Sequence, residues 1–286
     1  MHTKRCKMVR VGVHVSIAGS IDLAVDRAKD AGCDVFQQFS RNPRGWGYKP
    51  LSDEDCDTYR AKIKATGIIP VDHMPYLPNL ASPKPEIYEK SVPALAAELD
   101  RCGRLGIPYL VTHLGHHLGD GIAGGRARVI RAINTTIEKS DNSVMLLLEN
   151  TAGEKNSVGS SFEHIRGIMD GLDAPERIGI CFDTCHAFAA GYELRTDEGI
   201  ADTLAQFDEQ LGIRNLQIVH LNDTKADKGS GLDRHEHIGM GFISEDGFRR
   251  ILHHPAFKDL PLVCETPVDD RRDDCGNIAR VRELAR

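Results

Sequence analysis

Nine residues of the types that hold metal ions stand out by their position along this chain: His73, His113, Glu149, Asp183, His186, His220, Asp233, His235 and Glu265. Imidazole nitrogens and carboxylate oxygens are the N and O ligands of zinc. Most of them stand at or just beyond the end of a short apolar run. GIIPVDH ends in His73, YLVTHLG carries His113, VMLLLEN carries Glu149, and IGICFD ends in Asp183 with His186 just past it. LQIVHLND carries His220, PLVCET carries Glu265, and the segment DRHEH holds Asp233 and His235. With 13 histidines and 42 acidic residues among 286, about one residue in five is of a ligating type, so a single such position carries little. Six consecutive runs ending the same way carry much more. Four carboxylates and five imidazoles facing one small space would repel and desolvate badly without cations. Nine ligands exceed what one tetrahedral ion takes, so two or three metals fit better than one.

The stretch GICFDTCHAF (179–188) also contains Cys181 and Cys185. If Asp183 faces the mouth of a sheet, alternation puts Cys181 on the same side but deeper, where it packs. Cys185 lies between Asp183 and His186 and could approach a metal, but thiolate ligands normally come in pairs. Both cysteines are therefore read as core-filling, and the Asp/His pair as the chemical one.

Such a ring needs strands that all run the same way. Eight apolar runs, at residues 9–15, 34–39, 67–73, 109–115, 144–150, 178–183, 216–223 and 261–266, are short and apolar on both faces, as strands of a covered parallel sheet are. Helix signals fill the intervals. Ser20 is expected to cap a helix that stops near Gly32. Ser52, with Asp55 at capping-box spacing, starts another that ends before Gly67. Further helices are expected over residues 87–102, 126–139, 162–170, 198–211 and 245–253, with GNIARVRELAR closing the chain and Pro93 kinking or breaking its segment. Eight strands alternating with eight helices over this length read as an α/β (β/α)8 TIM barrel. It would be a single domain over residues 1–286, with its site at the C-terminal ends of the strands. A doubly wound open sheet is the competing architecture, but no GxGxxG follows the first strand.

Composition narrows the setting. No apolar run approaches the length of a membrane span, and no apolar segment follows the basic start MHTKRCKMVR, so neither a membrane anchor nor a signal peptide is expected. Eight scattered cysteines without a CxxC pair suit reduced thiols in a cytoplasmic protein. The formal charge of −6 argues against a nucleic-acid partner unless cations are bound; three divalent ions would neutralise it.

Nearly the whole chain, from GVHVSIAGS (12–20) to CETP (264–267), resembles endonuclease IV, the zinc-dependent apurinic/apyrimidinic endonuclease family of base-excision repair. The resemblance rests most on LLLENTAG (146–153), GICFDTCHAFAAGY (179–192) and HLNDTKADKGSGLDRHEHIGMG (220–241). It implies a TIM barrel holding three zinc ions. His73, His113 and Glu149 would hold the first. Glu149, the catalytic residue, would bridge to the second, which also takes Asp183, His220 and Glu265. His186, Asp233 and His235 would hold the third. RNPRGW (41–46) and PYLPNLAS (75–82) resemble the loops that enter the minor groove. Arg44 and Tyr76, with Leu77 beside it, would fill the gap left by a flipped-out nucleotide, Trp46 would belong to the same surface, and Arg41 and Lys49 would add phosphate contacts. The implied partner is double-stranded DNA containing abasic sites, met by a monomer. The implied reaction is hydrolysis 5′ to the abasic site, leaving a 3′-hydroxyl and a 5′-deoxyribose phosphate, with trimming of blocked 3′ ends by the same chemistry. Selectivity would come from flipping, because a nucleotide without a base has lost its pairing and most of its stacking. Gly45 and the pair Gly231–Leu232 depart from more polar residues in relatives. A metal-dependent sugar isomerase or epimerase on a related barrel is the alternative; it would want fewer metals and a base free of metal. A non-catalytic binder of damaged DNA would have no use for the full ligand set.

Overall fold

The computed structural model describes residues 9–286; the basic start of the chain and Cys6 lie outside the described residues. The strands are β1 (Arg10–Val13), β2 (Val35–Gln38), β3 (Ile69–His73), β4 (Tyr109–Thr112), β5 (Met145–Glu149), β6 (Ile178–Asp183), β7 (Leu216–His220), a small hairpin of β8 (Asp223–Thr224) and β9 (His235–Glu236), and β10 (Pro261–Cys264). All but the hairpin form one parallel sheet in the order β1-β10-β7-β6-β5-β4-β3-β2. Its two ends meet through a parallel bridge between His14 and Gln37, with the Val15 N–H donating to the Gln37 carbonyl at 2.8 Å. At this seam a Cβ on Gly12 would lie 1.6 Å from the Val35 carbonyl oxygen, so only glycine lets β1 come this close to β2. The expected TIM barrel is the observed fold.

The helices are α1 (Leu23–Asp30), α2 (Asp53–Thr66), α3 (Pro85–Leu105), α4 (Ile122–Glu138), α5 (Phe162–Met169), α6 (Thr184–Ala189), α7 (Asp197–Leu211), α8 (Ser244–His253) and α9 (Asp274–Leu284). α2 starts and stops as its sequence dictates: Ser52 and Asp55 form the reciprocal capping box, and Gly67 takes a left-handed φ of 71° past the end. One local expectation is corrected and one narrowed. Ser20 does not cap α1; its hydroxyl donates to Asp22, which holds the N-cap position without a side-chain bond to the helix. Pro93 does not break α3, which runs through it for 21 residues. The buried face of Ser91, Ala94, Leu95 and Leu99 holds both sides of the proline against the barrel, and this packing outweighs the one backbone hydrogen bond the proline removes.

Two apolar layers support the site. The larger lies between sheet and helices. The smaller fills the barrel with Val35, Val71, Val111, Leu147, Cys181, Ile218 and Val263, one from each strand except β1 and all fully buried. Because a strand repeats every two residues, the next side chains on that inner face are Gln37, His73, His113, Glu149, Asp183, His220 and Glu265. The plug of the barrel is thus the floor of the polar cluster above it.

Candidate metal centre

The nine side chains converge at the C-terminal mouth of the barrel. One ligand atom each of His73, His113 and Glu149 lie within 4.8 Å of one another, and so do those of Glu149, Asp183, His220 and Glu265. Asp183, His186 and His235 form a third such group. Asp233 joins it, with Oδ1 3.3 Å from His186 Nε2 and 3.2 Å from His235 Nε2. Glu149 sits between the first two groups. One oxygen, Oε2, lies 3.1 Å from His73 Nε2 and 3.4 Å from His113 Nε2, while Oε1 lies 3.0 Å from His220 Nδ1.

Local structure explains the convergence. Asp183 ends β6 and serves as N-cap of α6, accepting from the His186 N–H at 2.7 Å, so His186 comes round one turn later on the same side. Two asparagines clamp neighbouring strands. Asn150 accepts from the Asp183 N–H at 2.8 Å and donates to the Asp183 carbonyl at 3.0 Å. Asn222 donates to Asp183 Oδ2 at 2.7 Å and accepts from the Glu265 N–H at 2.7 Å. Asp233 and His235 are delivered by the β8–β9 hairpin, whose base is held by Asp223 accepting from the N–H groups of Gly241 and Ile243. Asn150, Asn222, Asp223 and Gln37 were not singled out from the sequence. The only signal was position: Gln37 and Asn222 continue the inner face of their strands, Asn150 follows Glu149, and Asp223 closes the run that carries His220.

The histidines are oriented to offer lone pairs. Nδ1 of His73, His186 and His235 donates to the carbonyls of Met74, Asn150 and Glu265 at 2.7, 2.9 and 3.0 Å. Each Nε2 is then the bare nitrogen, turned into the shared space. Nε2 of His186 and of His235 is buried with no hydrogen-bond partner. Orphaned nitrogens of this kind are rare in folded proteins, and beside carboxylates they fit a cation.

The electrostatics agree. Burial by itself would raise the Glu149 carboxyl, yet His113 and His220 outweigh it and hold it well below the usual range. Burial pushes the Asp183 carboxyl up, offset only in part by His186 and His235. Burial would lower His186, but Asp183, Asp233 and Glu149 overcome it and raise its pKa. Glu149 and His186 favour their charged forms while burial pushes Asp183 and His113 towards their neutral ones, so the cluster holds protons that divalent cations would displace on binding. Cys185 reaches Asp233 and His235, but burial pushes its thiol up to about 12. Cys181 lies in the floor, with its thiol likewise at about 12.

The loops beside the mouth are arranged differently from one another. Tyr76 is 67% exposed and Leu77 39%, and the Tyr76 ring meets Phe39 edge-on at 5.1 Å. Arg44 is exposed. Trp46 is half-buried and packs on the core, with the Lys90 ammonium 5.9 Å from its ring, so it anchors its loop. Arg41 is a correction. It is buried, paired with Glu98 of α3 and donating to the Trp46 carbonyl at 3.1 Å, so it fastens its own loop instead of standing exposed like Arg44. Lys49 remains exposed.

Comparison with known proteins places this geometry. Residues 25–285 match the family described as a xylose isomerase-like TIM barrel. The chain is 66% identical to the probable endonuclease 4 of Methanoculleus marisnigri over 97% of this chain and 99% of that one. It is 58% identical to the probable endonuclease 4 of Methanosphaerula palustris over 97% and 99%. Its fold superposes on the crystal structure of endonuclease IV from Thermus thermophilus with a TM-score of 0.85 at 34% identity, covering 96% and 98% of the two chains.

Proposed function

The chain belongs to the endonuclease IV family, a family of DNA-repair nucleases, and we propose that it cleaves duplex DNA 5′ to abasic sites using three zinc ions held by the nine converging residues. The products would be a 3′-hydroxyl and a 5′-deoxyribose phosphate, and blocked 3′ ends would be trimmed at the same centre. The observation that carries the reading is the sharing of Glu149. Its two oxygens face two separate ligand groups, while a third group with two orphaned histidine nitrogens stands alongside.

Bound there, divalent zinc would lower the pKa of water towards ~7 and neutralise a phosphate that the bare acidic mouth would repel. Three such ions would exceed the four ligand carboxylates by two positive charges, which answers the objection raised by the chain's acidic balance. Glu149 holds two of the positions together. His186, Asp233 and His235 form a separate corner where charge on a leaving oxygen would be met. Tyr76 and Leu77 supply an exposed flat and apolar pair beside the mouth, suited to the space a flipped nucleotide vacates. The monomer acts alone in this reading, with reduced thiols as in the cytosol; the seven described cysteines are unpaired and all but Cys275 are buried. Among the described residues no helix is long and apolar enough to cross a membrane.

The test is nicking of a duplex with one abasic site, with product ends mapped, alongside the metal content of the protein. Cleavage on the 5′ side, about three zincs per chain and loss of nicking on chelation are expected. One metal or none with full activity would sink the trinuclear site. Equal nicking of intact duplex would sink the abasic specificity. A sugar epimerase would show turnover of free sugars and no nicking.

A further inference from the structure

Six barrel strands carry a residue of the converging set at their last position or the one just past it; the other two reach the same level with His14 and Gln37. Gln37 is fully buried. Its Nε2 lies 2.6 Å from Glu265 Oε1 and 3.1 Å from His14 Nδ1, and its Oε1 lies 2.8 Å from His220 Nε2. These contacts fix the orientation of the amide and the proton on His220 Nε2. A carboxylate oxygen only accepts, so the amide nitrogen must face Glu265 and the amide oxygen must face His220. The amide oxygen also only accepts, so His220 carries its proton on Nε2. The second amide hydrogen points at His14 Nδ1, which accepts it and holds the amide against flipping. His220 Nδ1, 3.0 Å from Glu149 Oε1 and 3.3 Å from Glu265 Oε2, is therefore the nitrogen left to offer a lone pair once a cation displaces its proton.

His220 differs in this from His73, His186 and His235, whose tautomers are set by backbone carbonyls that no substitution removes. We propose that Gln37 is the positioning residue of the Glu149–Asp183–His220–Glu265 group, setting the tautomer of His220 and the orientation of Glu265 so that both turn their lone pairs to one divalent cation. The inference rests on the ligand set proposed above and goes beyond it by making one metal of the three depend on a residue that is not a ligand. Partners of this kind typically change metal affinity about 10–100-fold.

The test compares the zinc-loaded wild-type chain with Gln37→Ala and with Gln37→Met, which keeps the volume and removes the hydrogen bonds to Glu265, His220 and His14. Zinc retained against a chromophoric chelator is counted, and the protonated nitrogen of His220 is read by 15N NMR. The expected result is that both variants give up one zinc about 10–100-fold more readily than wild type, keep the other two, and lose the distinct Nε2–H signal. The methionine variant keeps the test decisive if the alanine variant fails to fold. Unchanged retention of all three zincs in the folded methionine variant overturns the inference and leaves the ligand set standing. Equal weakening of all three also overturns it, because Gln37 would then support the barrel mouth in general. A wild-type chain that binds no zinc removes the ligand set, and this inference with it.

Discussion

His186 and Cys181 stand five positions apart, both fully or nearly fully buried, and one strand-to-helix turn gives them different tasks. His186 turns an unpartnered Nε2 towards Asp233; Cys181 packs among Val71, Val111, Leu147 and Ile218 in the floor. His186→Ala should lower the zinc content by one and nearly abolish cleavage of abasic duplex. Cys181→Ala should keep the zinc and cost about 1 kcal/mol of stability in urea unfolding, as a small buried truncation does. A folded Cys181→Ala protein without activity, beside an active His186→Ala protein, would mean that the two roles are reversed. The identity of the pair was legible in the tetrapeptide Asp-Thr-Cys-His. The cap that makes them neighbours was not, because it depends on β6 ending at Asp183 with helix following at once.

At the scale of elements, the loops after β2 and β3 share a surface but are fastened by different means. The β2 loop is tied down through Arg41, whose guanidinium is paired with Glu98 on α3, and Ser40 bonds both Glu98 and Arg101. The β3 loop leaves Met74 and Pro75 buried and projects Tyr76 and Leu77 past them. Tyr76→Ala should weaken binding to abasic duplex by roughly 1–3 kcal/mol, the range for aromatic–base contacts. It should leave zinc content unchanged and matter much less for a small phosphodiester that needs no flipping. Mutant-to-wild-type ratios on the two substrates at one salt concentration decide the point. Equal losses on both would show that Tyr76 supports the metal site by packing on Phe39. The basic loop showed in the sequence as a cluster of arginines. That one of them is consumed by a buried partner on α3 could not show, since Arg41 and Glu98 are far apart along the chain.

For the molecule as a whole, the polar ring is the top layer of a core and its stability depends on what neutralises it. Ions that bind only the folded chain stabilise it by mass action, by about 2.7 kcal/mol per site at a hundredfold excess over Kd. Stripping zinc should therefore lower the melting temperature, and adding zinc back should raise it in step with free zinc concentration. A melting temperature indifferent to chelation and to added zinc would show that the ring is satisfied by protons alone. The same removal should weaken DNA binding, because the bare chain carries a formal charge of −6.

What the sequence determined by itself was period and type. Eight buried runs separated by helix signals allow few folds, and ligand residues recurring at the ends of six of them were visible without coordinates because strand alternation is local. A local signal misled at Ser20, whose hydroxyl bonds Asp22 instead of the helix. Only the tertiary structure decided which charges face one another. Closing the barrel at Gly12 brings Gln37 against Glu265 and His220, residues distant along the chain, and sets an amide between two of the converging side chains. Such a contact has no trace along the chain, because it exists only once β2 closes against β1.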